Sequence, residues 1–116
     1  MADDRQRPGE TAEIRRLRQR IDALDRKLVA LLNERATVAR EAGRAKAAAG
    51  WTAIRDADRE REVLLRVSIA NEGPMPQADL LAMYRRLFAA TRALETRDRK
   101  RVSRGGSRRD RDDEPT

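Results

Sequence analysis

The stretch Ile14-Arg15-Arg16-Leu17-Arg18-Gln19-Arg20-Ile21-Asp22-Ala23-Leu24-Asp25-Arg26-Lys27-Leu28-Val29-Ala30-Leu31 decides the fold. Its apolar residues return after three and four positions in alternation, at Ile14, Leu17, Ile21, Leu24, Leu28 and Leu31. That spacing is the seam of a helix that packs lengthwise on another helix. The series runs on through Arg35, Val38 and Ala42, with Val29, Leu32 and Ala39 widening the stripe. Thr11 precedes it as an N-cap. Nothing interrupts the helix before Gly50 except Gly43, which costs about 1 kcal/mol relative to alanine without stopping it. The pattern predicts one helix over residues 12–48, about 55 Å long. The shorter helices left in the chain cannot cover such a stripe, so it is expected to pair with a second copy of itself.

Gly50-Trp51-Thr52-Ala53 reads as a loop. Asp56 is placed to cap a second helix carrying Val63, Leu64, Val67 and Ala70 at helical spacing. Gly73-Pro74 and Pro76 end that helix and start a third, with Leu80, Tyr84, Leu87, Phe88, Thr91 and Leu94 on one side. No strand pattern occurs, so the fold class is all-α, a three-helix chain with a long N-terminal helix. Residues 1–10 are expected to be a flexible lead and 11–96 the folded domain. Residues 97–116 hold eight Lys or Arg, five Asp or Glu and Val102 as the one aliphatic residue, the composition of a disordered tail.

Composition narrows the chemistry. The 116 residues include no cysteine and no histidine, and 41% are charged, with a net charge of +7. Thiolate and Ser–His–Asp nucleophiles are therefore absent, and only carboxylates could ligate a metal. No apolar run approaches the roughly 20 residues that span a bilayer. The polar N-terminus has no signal-peptide core, so a cytoplasmic location is expected.

The informative positions are those where the pattern asks for a hydrophobe and a charge stands there instead. Arg35 occupies the seam between Leu28 and Ala42. A buried arginine needs an anionic partner. Lys46, three turns on, projects from nearly the same face, so either an anion sits between the two cations or the seam splays open to water. Arg18 is turned about 100° away on the same helix and, if it serves that pocket, serves the copy across the dimer. At the start of the second helix, capping and the helix dipole account for Asp56 but not for Arg59, while Glu60 shares a face with Asp56. On the third helix Tyr84, Phe88, Thr91 and Glu95 form one stripe, ending in a carboxylate that could lie in a pocket or just outside the core.

These residues fall in an ordered set: Leu17-Arg18-Gln19-Arg20-Ile21-Asp22-Ala23-Leu24-Asp25, Leu31-Leu32-Asn33-Glu34-Arg35, Gly43-Arg44-Ala45-Lys46, and Arg55-Asp56-Ala57-Asp58-Arg59-Glu60-Arg61-Glu62. The set resembles the all-helical (AroQ-type) chorismate mutases over residues 14–95. The resemblance implies an intertwined helical homodimer, wound together through the long first helices, in which each pocket takes one arginine from the neighbouring chain. It implies Arg18 as that arginine, holding a substrate carboxylate, with Arg35 on the second carboxylate. Lys46 would contact the ether oxygen and a carboxylate. Asp56 and Glu60 would bind the ring hydroxyl, Arg59 would frame the pocket, and Thr91 stands where the family usually has serine. The loop from Lys46 to Asp56 is one residue longer than the enterobacterial pattern, which leaves the alignment of 50–55 open.

Glu95 falls where bacterial members usually carry glutamine, a donor to the ether oxygen. Glutamate can donate only when protonated, and burial beside substrate carboxylates favours that form. Fungal allosteric members also use glutamate at this position. The implied reaction is the rearrangement of chorismate to prephenate, which needs no cofactor, in the shikimate pathway of aromatic amino acid biosynthesis. The alternatives are a sister enzyme on the same scaffold, a 4-amino-4-deoxychorismate mutase or an isochorismate pyruvate lyase. The Asp-x-x-Arg-Glu run at 56–60 favours the hydroxyl-bearing substrate. A non-catalytic dimer whose basic tail binds nucleic acid is a further reading, weakened by the tail's five acids and its lack of aromatics. Activation by a partner enzyme of the same pathway is left open.

Overall fold

A computed structural model describes residues 9–112, with side chains through residue 105. It contains three helices, α1 (Ala12–Ala48), α2 (Ala57–Ala70) and α3 (Gln77–Asp112), and no strand among the described residues. The chain divides into two compact units, Met1–Ala36 and Thr37–Thr116.

The described part of the first unit is the leading portion of α1. Its start is set by local chemistry, because the Thr11 hydroxyl accepts the amide of Ile14 at 3.1 Å, as an N-cap does. The heptad side chains lie largely in solvent: Leu28, Ile21, Leu24 and Leu31 are 53%, 55%, 60% and 61% exposed. A continuous stripe of this kind is far more apolar than a helix face that is meant to stay wet.

The second unit begins with the end of α1. Ala49 closes the helix and Gly50 adopts φ +89°, the left-handed conformation that glycine reaches without strain. The Gly50 amide donates to the Ala47 carbonyl at 3.1 Å and the Trp51 amide to the Lys46 carbonyl at 3.0 Å. This is a Schellman motif, and it places Trp51 back over the last turn of α1. Asp56 then caps α2, its carboxylate accepting the Arg59 amide at 3.0 Å. Between α2 and α3, Asn71 organises the turn. Its amide nitrogen donates to the Met75 carbonyl at 3.1 Å and to Gln77 at 2.8 Å, while its Oδ1 accepts from the Gly73 amide at 3.0 Å. α2 packs on α3, through half-buried Val63, Leu64 and Val67 on one side and Leu80, Leu81 and Leu87 on the other. Phe88 is the buried apolar side chain of α3 and meets Tyr84 edge to face at 6.2 Å.

The helical pattern of the sequence ends at Thr96, with a disordered tail expected over 97–116; in the structure α3 is assigned through Asp112. The physical reason lies in two ties. Asp98 accepts hydrogen bonds from Nη2 and Nε of Arg40, at 2.8 and 3.0 Å, and Arg99 donates to the Thr52 carbonyl at 2.6 Å. Arginine and lysine are also good helix formers, so a charge-rich segment without proline propagates a helix that is already anchored. Of the expected lead at 1–10, residues 1–8 lie outside the described residues, as do 113–116 of the tail.

Candidate functional site

In the second unit the site is built where the last turns of α1 meet α3. Gly43 lets the two helices approach. It is buried, and a Cβ there would stand 3.0 Å from Cγ and 3.1 Å from Cδ of Glu95. Glu95 is therefore pressed against bare backbone and is only 8% exposed. One turn further along α1, the Lys46 ammonium stands 3.9 Å from Glu95 Oε2. The same ammonium lies 5.9 Å from the centre of the Trp51 ring, within cation–π range. Lys46 thus has both a carboxylate and an aromatic ring within reach, the carboxylate beyond hydrogen-bond length.

Thr91, one turn before Glu95 and 9% exposed, shares the stripe. Its hydroxyl donates to the Leu87 carbonyl at 3.0 Å, which directs its oxygen's lone pairs away from its own helix. Glu60, on α2, accepts from Arg92 of α3 and faces Arg55 at 3.5 Å. This pairing joins α2 to α3 and keeps a half-buried carboxylate between two cations. Asp56 spends one oxygen on the cap, and the other remains able to accept from a ligand hydroxyl. Arg59 is directed to Glu62 at 3.5 Å on the surface of α2.

Two open clefts flank these residues. One, of about 810 Å³, is lined by Arg40, Gly43, Glu95, Asp98 and Arg99 among others. The other, of about 620 Å³, is lined by Trp51, Arg55, Asp56, Arg59 and Glu62 among others. Glu95 lines the first cleft, and Lys46 lines neither.

Of the residues singled out from sequence, the structure brings Lys46 and Glu95 together, with Thr91 a turn away. It places Asp56 and Glu60 four residues apart along the start of α2. Arg18 and Arg35 belong to the first unit. Arg18 is half-exposed and donates to Glu10 at 3.1 Å, and Arg35 is half-buried. Sequence reading missed Trp51, Arg92, Arg99 and the Arg40–Asp98 pair. The one available signal was Gly43, since a glycine inside an otherwise strong helix marks a close approach. The Arg40 guanidinium holds the Asp98 carboxyl below its ordinary range, chiefly through their hydrogen bonds, and Asp98 in turn raises Arg40.

Comparison with known proteins gives a consistent picture. A family model described as chorismate mutase type II matches residues 17–96. The chain is 33% identical over 92 residues to a bifunctional chorismate mutase/prephenate dehydratase of Stutzerimonas stutzeri, covering 75% of this chain and 25% of that protein. It is 36% identical over 87 residues to the enzyme of the same name from Aquifex aeolicus, covering 72% and 24%. The chain thus spans about a quarter of the length of these curated relatives. Among solved structures, chorismate mutase (form II) from Thermus thermophilus superposes with a TM-score of 0.70 at 32% identity, covering 73% of this chain and 96% of that one.

Proposed function

The chain belongs to the chorismate mutase type II family of isomerases, and from that premise we propose that it rearranges chorismate to prephenate in a pocket shared between two copies. The observation that carries this reading is the buried Glu95 facing Lys46 at 3.9 Å, close enough for one ether oxygen beside the pair to reach both.

The reaction is unimolecular: the bond from the ether oxygen to the ring breaks while a carbon–carbon bond forms between the enolpyruvyl methylene and the ring. No proton, nucleophile or electron carrier takes part, which suits a chain without histidine or cysteine. Catalysis then comes from holding the enolpyruvyl arm over the ring and from meeting the charge that grows on the ether oxygen. Arg35 and Arg18 of the partner subunit clamp the two carboxylates, a task for which the guanidinium fork is built. Lys46 and protonated Glu95 donate to the ether oxygen. Asp56 and Glu60 bind the ring hydroxyl, Arg59 frames the entrance and Thr91 completes the wall beside Glu95.

The dimer is supported by the exposed heptad face of α1. Packing these half-exposed side chains against a second copy removes them from water, the main driving force for such an association. No helix among the described residues is long and apolar enough to cross a membrane, and we place the protein in the cytoplasm, in the shikimate pathway. Incubation with chorismate, 4-amino-4-deoxychorismate and isochorismate in parallel, with products separated by chromatography, tests the assignment. Prephenate from chorismate is expected. Conversion of either other compound at a higher kcat/KM would replace the reading with a sister activity.

A further inference from the structure

Lys46 is a flexible side chain asked to present a point charge at one place. Its many rotamers scatter that charge unless something restrains it. Its contact to Glu95, at 3.9 Å, is too long to be a hydrogen bond and too loose to fix the ammonium. The restraint has to come from elsewhere.

Trp51 supplies it. The residue follows the helix end at the position where the Schellman motif folds the chain back, and its ring lies 5.9 Å from the Lys46 ammonium. Backbone bonds fix the Trp51 amide but not the stretch of loop that follows, which has no secondary structure between Gly50 and α2. That loop is held from outside. Arg99, one turn beyond Glu95 on α3, donates from Nη1 to the Thr52 carbonyl at 2.6 Å. Its Nη2 is buried without a hydrogen-bond partner among the described residues. The guanidinium has therefore given up water on one side to make a single charged bond to the loop, a costly arrangement for mere surface decoration.

We propose that Arg99 is a positioning residue of the Lys46–Glu95 site, acting through the Thr52 carbonyl and the Trp51 ring to hold the Lys46 ammonium opposite Glu95. The proposal rests on the chorismate mutase reading for its consequence in turnover, although the mount itself is a property of the fold. The path runs from Glu95 along one turn of α3 to Arg99, across to Thr52, back one residue to Trp51 and onto Lys46. The two groups that face the breaking bond are thereby referenced to the same helix. The segment beyond Thr96 thus has a role in the site and does more than lengthen α3.

The test exploits Trp51 being the chain's single tryptophan. Growth on mono-, di- and trifluorinated tryptophan replaces this one ring in the full chain. Fluorine drains the ring face of negative charge with little change of shape. Across the series kcat is expected to fall progressively, by about two- to fivefold in all, with KM nearly constant. Arg99→Ala is expected to lower kcat about fivefold, Arg99→Lys to restore part of it, and the Arg99→Ala/Trp51→Ala pair to be no worse than Trp51→Ala alone, because the two act in series. Fluorescence anisotropy of Trp51 reads the mount without any turnover, and it should drop in Arg99→Ala. A kcat that is flat across the fluorinated series, together with additive losses in the double variant, overturns the proposal. An unlabelled protein that leaves chorismate unchanged while Arg99→Ala still frees Trp51 would instead count against the reaction and leave the mount standing. Unchanged anisotropy removes the mount whatever the turnover.

Discussion

The Lys46 ammonium stands 3.9 Å from Oε2 of Glu95, which Gly43 allows to lie against the backbone of α1. Both groups are donors in the proposed transition state only if Glu95 carries a proton, since an ionised carboxylate can only accept. Glu95→Gln, which keeps a donor at this position, should therefore retain turnover, whereas Glu95→Ala should lose it. Lys46→Met should cost about 10²–10³ in kcat, the loss typical of one preorganised donor. Steady-state rates of the three variants, measured where circular dichroism shows an intact fold, check both.

Gly43→Ala isolates the positioning of Glu95. The added methyl would meet Glu95 Cγ at 3.0 Å, so the side chain must move. The helix itself gains up to about 1 kcal/mol from alanine. Thermal stability should consequently change little, while kcat drops by about tenfold or more, as it does when a reacting geometry shifts by a fraction of an ångström. A variant that is both stable and fully active would show that the close approach of α1 and α3 is not needed.

The shared pocket makes a stricter prediction. Arg18→Ala and Arg35→Ala should each be nearly inactive alone. Mixed and allowed to exchange subunits, they should recover activity, because a heterodimer has one pocket with both lesions and one with neither. Recovery should approach a quarter of wild type if exchange is statistical and pockets act independently. Heterodimers demonstrated by mass spectrometry without recovery would argue for a pocket built by one chain.

The exposed face of α1 predicts the assembly. Leu24 is 60% and Leu28 53% exposed in the single chain, and Leu24→Glu/Leu28→Glu would set four carboxylates in the dimer seam. Sedimentation velocity should then show the mass of one chain where the wild type shows two, with loss of turnover.

The Arg40–Asp98 pair predicts how stability depends on pH. The Asp98 carboxyl is lowered by its hydrogen bonds to Arg40, so its stabilisation is present above the ordinary carboxylate pKa and is lost as pH falls through the lowered value. Asp98→Asn should be less stable than wild type at neutral pH, and the two denaturation midpoints should converge below about pH 4. Persistence of the difference into strong acid would assign it to packing.

Much of the fold was legible because its causes are local. The three- and four-residue alternation from Ile14 to Leu31 requires a long helix, and the caps at Thr11 and Asp56 follow from side chains that reach an amide three residues on. The extension of α3 was not legible. Its anchors join residues far apart in sequence, Arg40 to Asp98 and Thr52 to Arg99, and a charge-rich composition reads the same whether it is tied down or loose. At the site, periodicity marked Arg35, Lys46 and Glu95 as misplaced charges, but only the family resemblance suggested what they hold. Arg92 escaped notice because an arginine on a mostly polar helix looks solvated until Glu60 of another helix is seen to meet it.

The most direct measurement follows chorismate through its ultraviolet absorbance with purified protein, at one acidic and one mildly alkaline pH, and identifies the product. The account predicts conversion to prephenate. A folded dimer that leaves chorismate unchanged at both values would contradict it.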